Sequence, residues 1–169
     1  HHQPRRQRQM CIRDRVLTGG ELDFNGGQNI NLKGNLTKTS GSLVNSSSSN
    51  GYLVLQGTSG TQTIDAINDQ EIAIKVSDDA NVTVNGNISA HYLWLQSSNT
   101  GTFLNGGWAV NLDDKIVVDG GTLQITSGSL NTSKNSSSLH ELDGGTIDID
   151  GGTVTVSYTH LTLPTRLMV

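Results

Sequence analysis

Along most of this chain the apolar residues occupy every second position in short runs, each bounded by Gly, Asn, Asp, Ser or Thr. The runs are Leu22 and Phe24; Ile30 and Leu32; Leu53 and Leu55; Ile72, Ile74 and Val76; Val82 and Val84; Leu93 and Leu95; Leu123 and Ile125; and Ile147 and Ile149. A period of two over about four to six residues marks a strand with one buried face. No sustained helical stripe interrupts the pattern, and no apolar run approaches the ~20 residues of a membrane span. The pattern predicts an all-β chain whose core is built from these alternating residues.

The punctuation between strands repeats. A unit of the form apolar, Asn/Asp/Thr, Gly, Gly, x, apolar recurs as LTGGEL from Leu17, LNGGWA from Leu104, VDGGTL from Val118, LDGGTI from Leu142 and IDGGTV from Ile149. FNGGQN from Phe24 departs only at its last place. Asx-Gly and Gly-Gly pairs supply positive φ at tight corners. Two spacings fit: Asp143 and Asp150 are seven residues apart, Asp119 and Asp143 twenty-four. A longer repeat matches GNLTKTSGSLVN at Gly34 with GTLQITSGSLNT at Gly121, placing Gly41 and Gly128 at equivalent positions 87 residues apart. That offset divides into four coils of about 22 residues, near the short end of solenoid repeats.

A right-handed parallel β-helix explains a uniform coil length. Each strand stacks on its counterpart at roughly 4.8 Å, closing main-chain hydrogen bonds between coils, with Leu, Ile and Val inward and polar residues outward. Asn at equivalent corners is expected to form side-chain ladders. Hairpins closing a β-sandwich are the alternative; they would use the same tight turns but do not predict a fixed coil.

The stretches LVLQGTSGTQTIDA at Leu53, VTVNGNISA at Val82 and IVVDGGTLQITSGSL at Ile116 carry a family likeness. Over roughly residues 29 to 131 the chain resembles the β-helical repeat regions of very large bacterial secreted and cell-surface adhesin-like proteins. The resemblance implies a stalk or scaffold and carries over no catalytic residue.

The two ends have a different origin. Codons can be assigned so that residues 1–14 are the in-frame reverse complement of residues 156–169: Asp14 (GAC) with Val156 (GTC), Cys11 (TGT) with Thr159 (ACA), Met10 (ATG) with His160 (CAT), and so on to His1 with Val169. The implied bases resemble the transposase-end adapter of sequencing libraries. Residues 1–15 and 155–169 are therefore expected to be translated adapter without ordered structure, and residues 16–154 to be a β-solenoid fragment open at both ends.

Setting the ends aside changes the chemistry. They hold all six Arg, the single Cys, both Met, both Pro and three of five His. Residues 16–154 retain five Lys against fourteen Asp and Glu, a formal charge of −9. The basic N-terminal arm vanishes as a nucleic-acid signal, and none is expected as partner. Low aromatic and apolar content would by itself favour disorder, but the alternation argues for a packed core.

Candidate chemistry is sparse. Asp78 with Asp79, and Asp113 with Asp114, are the possible acids of a polysaccharide-active β-helix, whose inverting pair would need carboxylates about 6.5–9.5 Å apart. Adjacent strand residues point to opposite faces, so these are expected to be solvated turn residues. A calcium site among Asp119, Asp143, Asp148 and Asp150 would need about six to eight oxygen ligands, and DGGT is explained by corner geometry. Trp94, flanked by inward Leu93 and Leu95, is placed to point outward and could join Trp108 in a sugar platform, against the plainer expectation of partial burial under a loop. Thr61 and Thr63 form a Thr-x-Thr pair not expected to recur at coil spacing. Asn81–Val82–Thr83 is a sequon that follows from composition, and His91 and His140 are expected to be exposed loop residues.

The sequence thus points to a non-catalytic structural or adhesive stalk segment of an exported, surface-associated bacterial protein, with no catalytic, cofactor or metal residues and with neighbouring coils or surface glycans as partners. A fragment of a polysaccharide lyase or glycosidase, or a carbohydrate-binding module, is the alternative.

Overall fold

In a β-solenoid each inward residue must find an apolar neighbour one coil away, and the registers show how this chain meets that demand. The computed structural model describes residues 10–24, 27–47, 49–57, 60–133 and 140–156. Coil one holds β1 (Met10–Ile12) and β2 (Arg15–Asp23), and coil two β3 (Asn29–Leu32) and β4 (Leu36–Val44). Coil three holds β5 (Gly51–Gln56), β6 (Thr61–Ile64) and β7 (Ile67–Asn68), and coil four β8 (Ile72–Ser77), β9 (Asn81–Val84) and β10 (Ile88–Ala90). Coil five comprises β11 (Leu93–Leu95), β12 (Thr102–Leu104) and β13 (Ala109–Leu112), and coil six β14 (Ile116–Val118), β15 (Thr122–Ile125) and β16 (Ser129–Thr132). Coil seven comprises β17 (Glu141–Leu142), β18 (Thr146–Ile149) and β19 (Thr153–Val156).

Strands of successive coils pair in parallel on three faces. Face A has the order β1-β3-β5-β8-β11-β14-β17, face B β2-β4-β6-β9-β12-β15-β18, and face C β7-β10-β13-β16-β19. The fold is therefore a parallel β-solenoid with a repeat of about 21 residues; the sandwich, which pairs strands antiparallel, is not formed. Coil length varies, from 19 residues between Ile74 and Leu93 to 28 between Leu36 and Ile64. The corners absorb this variation while the strands keep register.

The core consists of stacked columns. On face A one column runs Ile30, Leu53, Ile74, Leu93, Ile116, and the next Leu32, Leu55, Val76, Leu95, Val118. On face B Val82, Phe103 and Leu123 stack; on face C Ile67, Ile88, Val110 and Leu130 do. All of these are buried apart from the partly buried Ile30. Gln62 joins the face B column below Val82, and its Nε2 donates to the carbonyls of Leu32 (3.1 Å) and Gly34 (2.8 Å). Ile147 and Ile149 stack over Leu123 and Ile125 as the alternation requires, yet are 36% and 52% exposed, because no described coil covers them.

The Gly-Gly units mark corners at every edge of the solenoid, which reconciles their two spacings. Asp119 and Asp143 open the same A-to-B corner in successive coils, whereas Asp143 and Asp150 open successive corners of one coil. The 87-residue repeat spans four coils, with Gly41 (φ 91°) and Gly128 (φ 72°) both at the B-to-C bend. On face B the matched segments are out of phase: Leu36 stacks with Ile64, while Leu123 continues the neighbouring column from Val82 and Phe103. In the first two coils faces B and C form one long bent strand, with register shifts in β2 next to Gly19 and Gly20.

Two expectations need correction. The adapter-like ends were expected to lack order, yet Met10–Ile12 pairs with Ile30–Leu32, Arg15 with Leu36, Thr155 with Asn131 and Val156 with Thr132. A parallel sheet edge offers unpaired N–H and C=O groups to any extended segment, so this main-chain pairing requires no evolved sequence. Residues 1–9 and 157–169, the rest of those ends, lie outside the described residues. The second correction concerns Asn ladders. One exists, with Asn131 Nδ2 donating to Asn111 Oδ1 at 2.9 Å, but it lies on face C rather than at a corner. Corner asparagines bind backbone instead: buried Asn105 donates to the carbonyls of Trp108 and Ser127, and Asn45 to those of Ser49 and Glu71.

Corner glycines differ in how much they constrain. A Cβ on Gly128 would sit 2.5 Å from the Gly107 carbonyl oxygen, whereas at Gly60 (φ 88°) nothing lies within 4 Å. Gly128→Ala combines left-handed strain with overpacking and is expected to cost about 2–4 kcal/mol, against about 1–2 kcal/mol for Gly60→Ala. Denaturant midpoints measure the difference, and equal losses would contradict the close coil-to-coil approach at this corner.

Candidate functional site

The three faces carry different outer surfaces because their outward positions stack as regularly as the inward ones. Face C presents Asn68, Ser89, Asn111, Asn131 and Thr155 in one column. On face B Thr102, Thr122 and Thr146 stack, while Thr61 pairs with Asn81, whose Oδ1 accepts the Thr102 N–H at 3.0 Å. The Thr61–Thr63 pair itself does not recur, since Asn81 stands over Thr61, but single threonines do stack in a column that varying corner lengths hide in the sequence. The companion column, Thr63, Thr83, Leu104, Gln124 and Asp148, loses its threonines after two coils.

Face A is where the aromatic residues gather. Its outward column runs Val54, Lys75, Trp94, Val117 and Glu141, beside Tyr52 and Tyr92. Trp94 points outward as the Leu93-Trp94-Leu95 alternation predicts and is half-buried among these neighbours. Its Nε1 donates to Asp119 Oδ2 at 2.8 Å, which fixes the indole about its χ angles. Lys75 Nζ lies 3.9 Å from the Tyr52 ring centroid and 4.9 Å from that of Trp94, close enough for cation–π attraction to both. Tyr52 and Tyr92 meet edge to face with centroids 6.3 Å apart. Burial, first of all, and a hydrogen bond to Tyr52 push the Tyr92 phenol well above its ordinary range, so it stays protonated.

Next to this cluster lies a cavity of about 220 Å³ lined by Tyr92, Trp94, Lys115, Val117, Asp119 and Glu141. Lys115 Nζ donates to Glu141 Oε1 at 2.8 Å across its rim. The lining thus joins an aromatic and aliphatic wall to fixed acceptors and an ammonium donor. Trp108, 42% exposed, lies between β12 and β13 at the B-to-C corner, so the two tryptophans do not share a platform. Sequence reasoning found Trp94 but not Tyr52, Lys75, Tyr92 or the Asp119 contact. Their common signal, one outward residue per coil beside the apolar pairs, becomes readable only with the coil register in hand.

The candidate acids fall elsewhere and are engaged in joining coils. Asp78 and Asp79 occupy the exposed A-to-B corner at φ 54° and 59°. Asp78 accepts from Gln56 Nε2 (3.0 Å) and Asp79 from Thr100 Oγ1 (2.6 Å). Asp113 and Asp114 flank His91, with carboxylate oxygens 3.9 and 3.8 Å from its ring nitrogens. The His91 side chain is only 13% exposed, so it is a packed corner residue rather than the exposed loop residue expected. Asp148 accepts from Gln124 Nε2, and Asp119 is tied to Trp94. Among the described residues no group of three or more His, Cys, Asp or Glu side chains is arranged to hold a metal ion. None contains a helix long and apolar enough to cross a membrane.

No protein-family model, curated protein or solved structure matches the chain.

His140 also departs from the exposed-loop expectation. Its Nδ1 accepts the Ile116 N–H at 3.2 Å, a contact that requires the neutral ring. Burial lowers its pKa below the usual value and Lys115 adds to this, while Asp114 opposes both. With the folded pKa below the unfolded one, this contribution is complete above pH about 6.5 and is lost as the pH falls through the folded value. The melting temperature is expected to fall between pH 7.5 and 5.5, and the slope to flatten in His140→Asn, whose Oδ1 can accept without titrating. An unchanged slope in the variant would contradict the assignment.

Proposed function

We propose that this chain is a non-catalytic segment of a stalk or adhesive scaffold belonging to an exported bacterial surface protein. The observation that supports this most is where the acidic side chains are spent. Asp23, Asp65, Asp69, Asp78, Asp79 and Asp148 each accept a hydrogen bond from a residue 20 to 27 positions away, one coil distant. In a polysaccharide-cleaving β-helix some carboxylates must instead converge on a substrate, one holding a proton. Here they hold coil to coil, which suits a rod whose task is to extend and present. The excess negative charge favours solubility outside the cell without naming a receptor.

The reading is tested by incubating the protein with pectate, xylan, alginate and β-glucan and following reducing ends and unsaturated uronate absorbance. No turnover is expected. Depolymerisation that survives repurification and is abolished by Asp113→Asn with Asp114→Asn would overturn it in favour of an enzyme.

A further inference from the structure

We propose that the cavity on face A is a binding site for one pyranose ring of a neutral glycan. Three features select this ligand class. Trp94, Tyr92 and Val117 supply the apolar wall against which the C–H face of a sugar packs, and aromatic side chains with fixed polar ends suit such half-wet contacts. Asp119 and Glu141 supply acceptors and Lys115 a donor around the same volume, the mixed lining that hydroxyls on a ring require. The volume of about 220 Å³ lies below the ~300–1,000 Å³ of sites for drug-sized ligands, and fits a single ring with its chain continuing outside.

Charge removes the competing ligand classes. A cationic ligand would have to displace ammonium groups already in place: Lys75 over the rings of Tyr52 and Trp94, and Lys115 on Glu141 at 2.8 Å. An acidic glycan would meet Asp119 and Glu141 in a chain of net charge −4. Asp119 acts as a positioning residue as well, since its Oδ2 accepts from the indole that forms the apolar wall. The site goes beyond the scaffold reading and does not depend on it. A rod that binds nothing would fail the binding test and still show no turnover, whereas an enzyme would fail the turnover test whatever it bound.

The test uses the full chain titrated with cellohexaose, mannohexaose and xylohexaose, with hexagalacturonate and tetramethylammonium as charged comparisons. Binding is read from tryptophan emission and from saturation transfer to sugar protons. At least one neutral oligosaccharide is expected to bind with Kd on the order of 1 mM. Binding should weaken at least tenfold in Trp94→Ala and persist in Trp108→Phe, which also removes the second indole from the emission signal. Glu141→Gln changes an exposed lining residue outside the core, and should weaken binding severalfold even if Trp94→Ala fails to fold. The proposal is overturned by absence of saturable binding to all three neutral probes, by affinity unchanged in both variants, or by tighter binding of either charged probe.

Discussion

Everything in this structure depends on keeping the parallel main-chain ladder closed from coil to coil. A strand in the middle of the stack is satisfied on both edges by its counterparts, but a corner turns the backbone away from that alignment. A corner N–H or C=O left without its ladder partner forfeits a hydrogen bond worth about 0.5–1.5 kcal/mol net, and a solenoid has corners in every coil. The chain meets the constraint with short side chains that act as backbone surrogates. Asn35 Oδ1 takes the Thr63 N–H at 2.8 Å, Asn87 Oδ1 the Ala109 N–H at 3.1 Å, and Asp69 Oδ2 the Asn45 N–H at 2.7 Å. The abundance of Asn and Asp, which by composition alone resembles that of a disordered chain, is thereby explained: these residues extend the ladder around the bends.

That division of labour shows why some of the fold was legible in the sequence. Inward pairs such as Leu53 with Leu55, or Leu93 with Leu95, announce themselves by alternation. The Asp-Gly-Gly corners do so by the backbone angles they require. Faces with a single apolar residue per strand were harder to read: β7 contributes Ile67 alone, and β10 has Ile88 separated from the small Ala90. Face B hid its threonine column behind corners of unequal length. The histidines were misjudged for a related reason, since a corner residue that seems exposed along the chain is covered by the coil next to it, as His91 is by Asp113 and Asp114.

The candidate site was half legible. Trp94 could be assigned outward from its two leucine neighbours. Its surroundings come from Tyr92 in the preceding turn, from Val117 and Asp119 one coil on, and from Glu141 two coils on, at spacings that differ from one step to the next. Such a site is assembled by register, which local pattern does not encode. Among the described residues, faces B and C present mostly polar side chains outward, with Leu104 an exception on face B, while face A concentrates aromatic rings beside fixed charges.

Coil-to-coil stacking is tested most directly by spin-label distances on face C. Asn68, Ser89, Asn111, Asn131 and Thr155 form one outward column of consecutive parallel partners. Asn68 and Thr155 are exposed, and four steps at roughly 4.8 Å place their backbones about 19 Å apart despite the long intervening chain. Dipolar spectroscopy on a protein labelled at positions 68 and 155 should give a narrow distribution near that separation, broadened only by the label arms, and the pair 89 and 155 should be about 5 Å shorter. A broad distribution, or a separation that does not shorten by one coil step between the two pairs, would contradict the stacked solenoid.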